Sequence, residues 1–316
     1  MKTKEILQGM ITHGSRNLIT VKAAAVTGEL VELECRIKGK VLKGEKTYNP
    51  FAAGDIVTVE KEADTNKAQI LNVQERRNLF SRFNQKGCSS QLLAANIDLI
   101  LCVCTPESPP FRPRFTDRVL LQADIAGIEA IVICNKTDLD KKNIDTDERL
   151  EEYIKIGYRL LRVSAKTGEG IDEFSKIIAG KTSVLIGQSG VGKSSLINAL
   201  EPSINIKEGE INEKYNRGNH TTTMSFMIEL AGNTRLIDTP GVRRFIPDGI
   251  LSQDTINYMR DFAPFAGLCS FGMSCSHKTE PGCKILEAVH AGVIHEDRYD
   301  SFLRIREDLE GRYNDD

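Results

Sequence analysis

Residues 187–194, Gly187-Gln188-Ser189-Gly190-Val191-Gly192-Lys193-Ser194, fit the pattern GxxxxGK[ST]. That spacing suits a phosphate cradle. Glycines let successive backbone N–H groups curl around phosphate oxygens, and the start of a following helix adds a favourable field. Lys193 would reach the β- and γ-phosphates, Ser194 would ligate Mg²⁺, and Ser195 ends the run of candidate contacts. The apolar stretch SVLI precedes the motif and SSLINAL follows it, the strand–loop–helix context it requires. Asp238-Thr239-Pro240-Gly241 begins 44 residues beyond Ser194. An acid at a strand end can hold Mg²⁺ through water, and the N–H of Gly241 can sense a γ-phosphate. Between them lies RGNHTTT, residues 217–223. A threonine hydroxyl there could complete the Mg²⁺ shell; Thr222 is favoured, with Thr221 and Thr223 indistinguishable by sequence.

Asn135-Lys136-Thr137-Asp138 reads as NKxD, at the end of a buried strand. The Asp138 carboxylate can accept two parallel hydrogen bonds from guanine N1–H and N2–H₂, a donor pair adenine lacks. Asn135 would steady the loops, and the Lys136 stem would cover one face of the base. Ser164-Ala165-Lys166 would complete the pocket with a backbone N–H toward guanine O6. Together these segments select GTP over ATP. Farther on, Cys269, Cys275, His277 and Cys283 form C-x5-C-x-H-x5-C. Three thiolates and one imidazole make a closed shell for one structural zinc ion. The remaining five cysteines are scattered and read as apolar fillers.

These residues need a frame. Five short β-rich runs between residues 5 and 73 predict a small closed barrel, OB-like, with an SH3-like barrel as the alternative. Residues 74–91 read as a linker, whose Arg76, Arg77, Arg82 and Lys86 either face solvent or touch phosphate while Leu79, Phe80 and Phe83 dock on a domain. Over 92–245, apolar strands alternate with helices, which predicts a mainly parallel α/β sheet covered on both faces. Residues 246–316 read as a mostly helical zinc-binding domain, with eight acidic against four basic side chains in its final 22 residues. Lys and Arg total 42 and Asp and Glu 44, a net charge of −2 that excludes a uniformly basic coat for nucleic acid. No run of about 18 apolar residues predicts a membrane span, and sparse cysteines fit a reducing cytoplasm.

The motif order is unusual. Small GTPases ordinarily run P-loop, threonine, DxxG, NKxD, SAK, whereas here NKxD and SAK come first. Closing the old termini and opening new ones preserves the sheet. The segment after DTPG then leads straight into the C-terminal domain, so its movement could be transmitted there.

In this order, with GQSGVGKSSLIN, GNHTTT and DTPGVRRF between a barrel and a Cys/His module, the chain resembles the ribosome-small-subunit-dependent GTPase A family (RsgA, YjeQ, YloQ) over about residues 5–310. Asn219 stands where that family usually has arginine. The resemblance implies a circularly permuted GTPase that binds the small (30S) subunit and its 16S rRNA and assists late maturation. Hydrolysis would be stimulated by the subunit and linked to release. It also implies a water-positioning role for His220, since Val242, after DTPG, cannot polarise water; a plain loop histidine is the alternative. A monomer suffices, and neither DNA nor membrane is expected as a partner. The competing function is a permuted GTPase switch acting on another RNA or regulatory target.

Overall fold

The computed structural model describes residues 4–14, 18–25, 28–37, 47–62, 65–139, 144–204, 225–239, 241–242 and 244–312. Five N-terminal strands close a barrel: β1 (Lys4–Gly14), β2 (Ile19–Ala24), β3 (Leu30–Ile37), β5 (Ile56–Glu62) and β6 (Lys67–Val73), in the order β1-β2-β3-β6-β5, with β5 returning to β1. Burial alternates along them, as in β2, so one face of each strand fills the interior. Leu33, Val57, Ile70 and Phe51 meet in that core. β3 and β6 pair in parallel, which requires a crossover and separates this OB-like barrel from an all-antiparallel meander.

The stretch expected as a linker is folded. β7 (Leu79–Asn84) and β8 (Ser89–Ala95) form an antiparallel hairpin, and β4 (Thr47–Asn49) joins β8 to complete a three-stranded sheet. Its arginines are committed within the chain: Arg76 donates to Asp55 at 2.7 Å, Arg77 to Asp98 at 2.8 Å and Arg82 to Gln91 at 3.1 Å. Phe80 is fully buried and stacks on Phe245, ring centroids 5.8 Å apart. An aromatic partner of the hairpin therefore lies some 160 residues further along the chain.

The central sheet has six strands, ordered β11 (Arg159–Arg162), β10 (Glu129–Cys134), β9 (Leu99–Cys104), β12 (Thr182–Gly187), β14 (Arg235–Asp238) and β13 (Phe226–Glu229). All neighbours are parallel except β13 with β14. β9 and β12 are buried at every residue, as strands covered on both faces must be. Helices α1 (Pro113–Ile125) and α2 (Ile144–Lys155) contribute to the core on one face, α3 (Ile171–Ile178) and α4 (Lys193–Leu200) to that on the other. Beyond the sheet come α5 (Thr255–Tyr258), α6 (Lys284–His290) and α7 (Glu296–Glu310), packed with the cysteine cluster. Among the described residues no helix is long and apolar enough to cross a membrane.

A buried ion network joins this last region to the sheet. Arg298 of α7 donates to Asp117 of α1 at 2.9 Å and to Asp261 at 2.5 Å, while Asp117 also accepts from Arg149 of α2 at 3.0 Å and from the Tyr153 hydroxyl at 2.8 Å. Two arginines face two aspartates, so the burial is charge-balanced. Desolvation alone would push the Asp117 carboxyl up, but Arg298 and Arg149 outweigh it and hold it below the usual carboxylate range. A carboxylate with a depressed native pKa stabilises the fold above its unfolded pKa of about 4 and loses that contribution as pH falls through the native value. Arg298→Ala is expected to destabilise the protein by about 3–5 kcal/mol in denaturant unfolding, because Asp117 and Asp261 lose a buried partner.

Candidate functional site

The six-stranded sheet brings the motifs to one edge, at the carboxyl ends of its strands. β12 ends in Gly187 and opens into the P-loop, where Gly190 and Gly192 take φ of +83° and +88°. A side chain at Gly192 would collide with the Asn135 amide, so glycine is required there. α4 starts at Lys193, and no side chain caps its first turn. Lys193 is buried, with its Nζ donating to the Gly187 carbonyl at 3.1 Å. Burial pushes its ammonium pKa down, partly opposed by Asp238.

Asp238 closes β14, the neighbour of β12. Burial drives its carboxyl up to about 7 against the pull of Lys193, and its Oδ1 has no hydrogen-bond partner in the described structure. An orphaned, buried carboxylate oxygen next to a phosphate-type loop fits a position that turns toward a hydrated cation. Thr239 anchors the next turn by donating from Oγ1 to the Leu185 carbonyl at 2.9 Å. Gly241 lies against Ser189: a Cβ on it would stand 3.4 Å from the Ser189 N, Cα and Cβ atoms.

β10 delivers Asn135 to the same edge. Its side chain is buried, donates to the Val191 carbonyl at 2.9 Å and accepts from the Ala165 N–H at 3.1 Å. One amide thus ties NKTD to both the P-loop and SAK. Lys136, at φ +65°, donates to the carbonyls of Gly190 and Ser108, each at 2.7 Å. Asp138 accepts from the Ser164 hydroxyl at 2.7 Å and faces Lys166 at 3.7 Å. Asn135, Lys136, Asp138, Ser164, Ala165 and Lys166 are therefore gathered with Gly187–Ser194. His220, Thr221, Thr222 and Thr223 lie outside the described residues, as do Asn219 and Pro240. The Ser108 contact is not readable from sequence: TPESPP signals a turn but not its neighbour.

The second site is the cysteine cluster. Cys269, Cys275, His277 and Cys283 are buried, with one donor atom from each within 4.8 Å of the others. Cys269 and Cys283 sulfurs stand 3.9 Å apart, and each lies 3.5 Å from His277 Nδ1. A tetrahedral ion with Zn–S near 2.3 Å and Zn–N near 2.0 Å has edges of about 3.8 and 3.5 Å, so the donor set fits zinc. Two braces were not foreseen. Glu280 accepts from the N–H groups of Ser276, Lys278 and Thr279 at 2.7, 3.0 and 3.1 Å. Those bonds, Ser276 foremost, hold its carboxyl down at about 2. Tyr299 of α7 donates to the His277 carbonyl at 2.6 Å.

A P-loop on a parallel sheet, with its guanine-type loops placed upstream in the chain, defines a permuted P-loop GTPase. Comparison with known proteins takes this further. Residues 73–246 match the family model of the RsgA GTPase. The chain is 38% identical over 317 residues to the small ribosomal subunit biogenesis GTPase RsgA of Flavobacterium johnsoniae, covering 98% of this chain and 96% of that one. The Borrelia recurrentis protein of the same name is 40% identical over 274 residues, 86% of each. The crystal structure of YjeQ from Thermotoga maritima superposes with a TM-score of 0.72 at 29% identity, over 97% of this chain and 99% of that one. YloQ, described as a circularly permuted GTPase, shares the fold with a TM-score of 0.67 at 24% identity, over 98% and 96% of the two chains. The chain belongs to the RsgA GTPase family, and its enzyme class is GTP hydrolase.

Asn135→Ala cuts both ties of the amide at once. It is expected to lower stability by about 1–3 kcal/mol in thermal or denaturant unfolding and GDP affinity by about tenfold or more in a direct titration, since loop order is lost with the contact.

Proposed function

We propose that the chain binds GTP across the P-loop, NKTD and SAK segments, hydrolyses it, and uses the cycle to assist late maturation of the small (30S) ribosomal subunit. The reading rests on end-to-end similarity to relatives named for that process, combined with the Asn135 contacts that hold all three nucleotide segments together. Asp138 accepts from the guanine edge, Lys136 lines the base, and the Ala165 region meets O6. Backbone N–H groups from Gly187 to Ser195 hold the phosphates, and Lys193 leaves its loop carbonyls to meet the β- and γ-oxygens. Ser194, a threonine of 221–223 (Thr222 favoured) and Asp238, through water, hold Mg²⁺, which when bound offsets charge on the β- and γ-phosphates. Gly241 donates its N–H to the γ-phosphate. His220 orients the attacking water.

The Cys269, Cys275, His277 and Cys283 shell holds one structural zinc ion. Its four protein ligands leave no position for substrate. The partner is the small subunit with its 16S rRNA, and the protein works in the cytoplasm as a monomer without DNA or membrane.

Multiple-turnover phosphate release, measured with and without purified small subunits, tests the reading. Stimulation of about tenfold or more is expected; stimulation by unrelated RNA to the same extent would favour a different RNA target. Asp138→Asn is expected to weaken GTP and strengthen xanthosine triphosphate, whose 2-oxo group accepts where guanine donates, in paired nucleotide titrations. Metal analysis is expected to find one zinc per chain, and Cys275→Ser to remove it with a lower melting temperature.

A further inference from the structure

The acidic excess at the C-terminus has a specific use in the fold. Asp308, near the end of α7, is gripped by two arginines from the GTPase region. Its Oδ1 accepts from Arg244 at 2.6 Å and its Oδ2 from Arg118 of α1 at 2.7 Å. Arg118 and Asp308 are largely buried at this contact, whereas the Arg244 side chain is 59% exposed. α7 is thus anchored on α1 through Asp308 and holds Arg244 from there.

Arg244 stands three residues after Gly241, the glycine lying on Ser189 of the P-loop. Val242 is buried between them, and the Arg244 carbonyl accepts from Arg82 of β7 at 2.8 Å. Gln188 of the P-loop, Arg244 and Asp308 line one cavity of about 630 Å³. The contact therefore sits beside the phosphate loop.

We propose that Asp308 is a positioning residue for hydrolysis: through Arg244 it keeps the segment after Gly241 against the P-loop, so that turnover depends on how α7 is seated. A partner that shifts α7 then changes the hydrolysis rate without touching the nucleotide. A charge-assisted hydrogen bond is stronger than a neutral one, so the Arg244–Asp308 pair helps to hold the segment where it lies. The proposal rests on the reading of Gly241 as the γ-phosphate contact. GDP lacks that phosphate, so its binding is insensitive to the latch.

The experiment is a kinetic double-mutant cycle on the full chain with Arg244→Ala, Asp308→Asn and the pair. Each single variant is expected to lower kcat for intrinsic GTP turnover about three- to tenfold, with KM for GTP and affinity for GDP held within about twofold. The double variant is expected to be no slower than either single, and Arg244→Lys to recover part of the loss. Unchanged kcat in Arg244→Ala, whose exposed side chain can be removed without opening the core, overturns the proposal. So do losses that multiply in the double variant, or a rise in KM equal to the fall in kcat. A wild-type chain that binds no GTP would instead refute the nucleotide-site reading, before any variant is compared.

Discussion

The side-chain amide of Asn135 is the point on which the nucleotide site depends. Permutation places NKTD and SAK upstream of the P-loop, so no local chain connection sets their distance from it. The amide has a donor and an acceptor at fixed separation, and it uses one on Val191 and the other on Ala165. A carboxylate could not donate to the carbonyl, and a shorter side chain could not reach both. Lys136 adds a second tie by bridging Gly190 and Ser108. The base-side loops and the phosphate loop are thereby one hydrogen-bonded unit before any ligand arrives, which reduces the ordering cost of binding.

Permutation also decides where the flanking regions attach. The sheet begins with β9, directly after the β7–β8 hairpin, and its last motif runs on into the zinc-competent region. The hairpin binds that exit segment closely: Phe83 N–H donates to the Ile246 carbonyl at 3.0 Å, and Asp248 accepts from Ser81 at 3.0 Å and from Ser90 at 2.5 Å. α1 contributes Gln122, which accepts from the Asp248 N–H at 2.6 Å. The chain entering the sheet and the chain leaving it are therefore packed on one another. Motion after Gly241 has a short mechanical route to both flanking regions.

Some of this was legible in the sequence, for physical reasons. The P-loop, NKTD and SAK are each a short unbroken run whose chemistry dictates its internal spacing. β9 and β12 announce themselves because a strand buried on both faces must be apolar at nearly every position. The Cys/His cluster stands out because soft ligands crowd a short stretch. The hairpin at 79–95 did not stand out. LFSRFN is as polar as a linker, and the ring that buries Phe80 is Phe245, far along the chain. Asp117 in RFTDRVLLQADIAG looks like any helical acid, and only the fold turns it inward onto Arg298 and Arg149. Glu280 likewise reads as a surface carboxylate until the turn around His277 aims three N–H groups at it.

Two of the charged contacts between α1 and α7 differ in kind, and the difference bears on which can move. Asp117 with Arg298 is sealed from water, so separating them would strand charges in the interior, and that end of α7 is fixed. Asp308 lies three turns farther along the same helix, with one arginine sheltered and the other open to solvent. Water can replace an exposed guanidinium contact at small cost. Ile305 and Leu309 seat that end of the helix in the core, so only the Arg244 half of the Asp308 contact is open to water. That open half is the one that touches the segment leaving the nucleotide site.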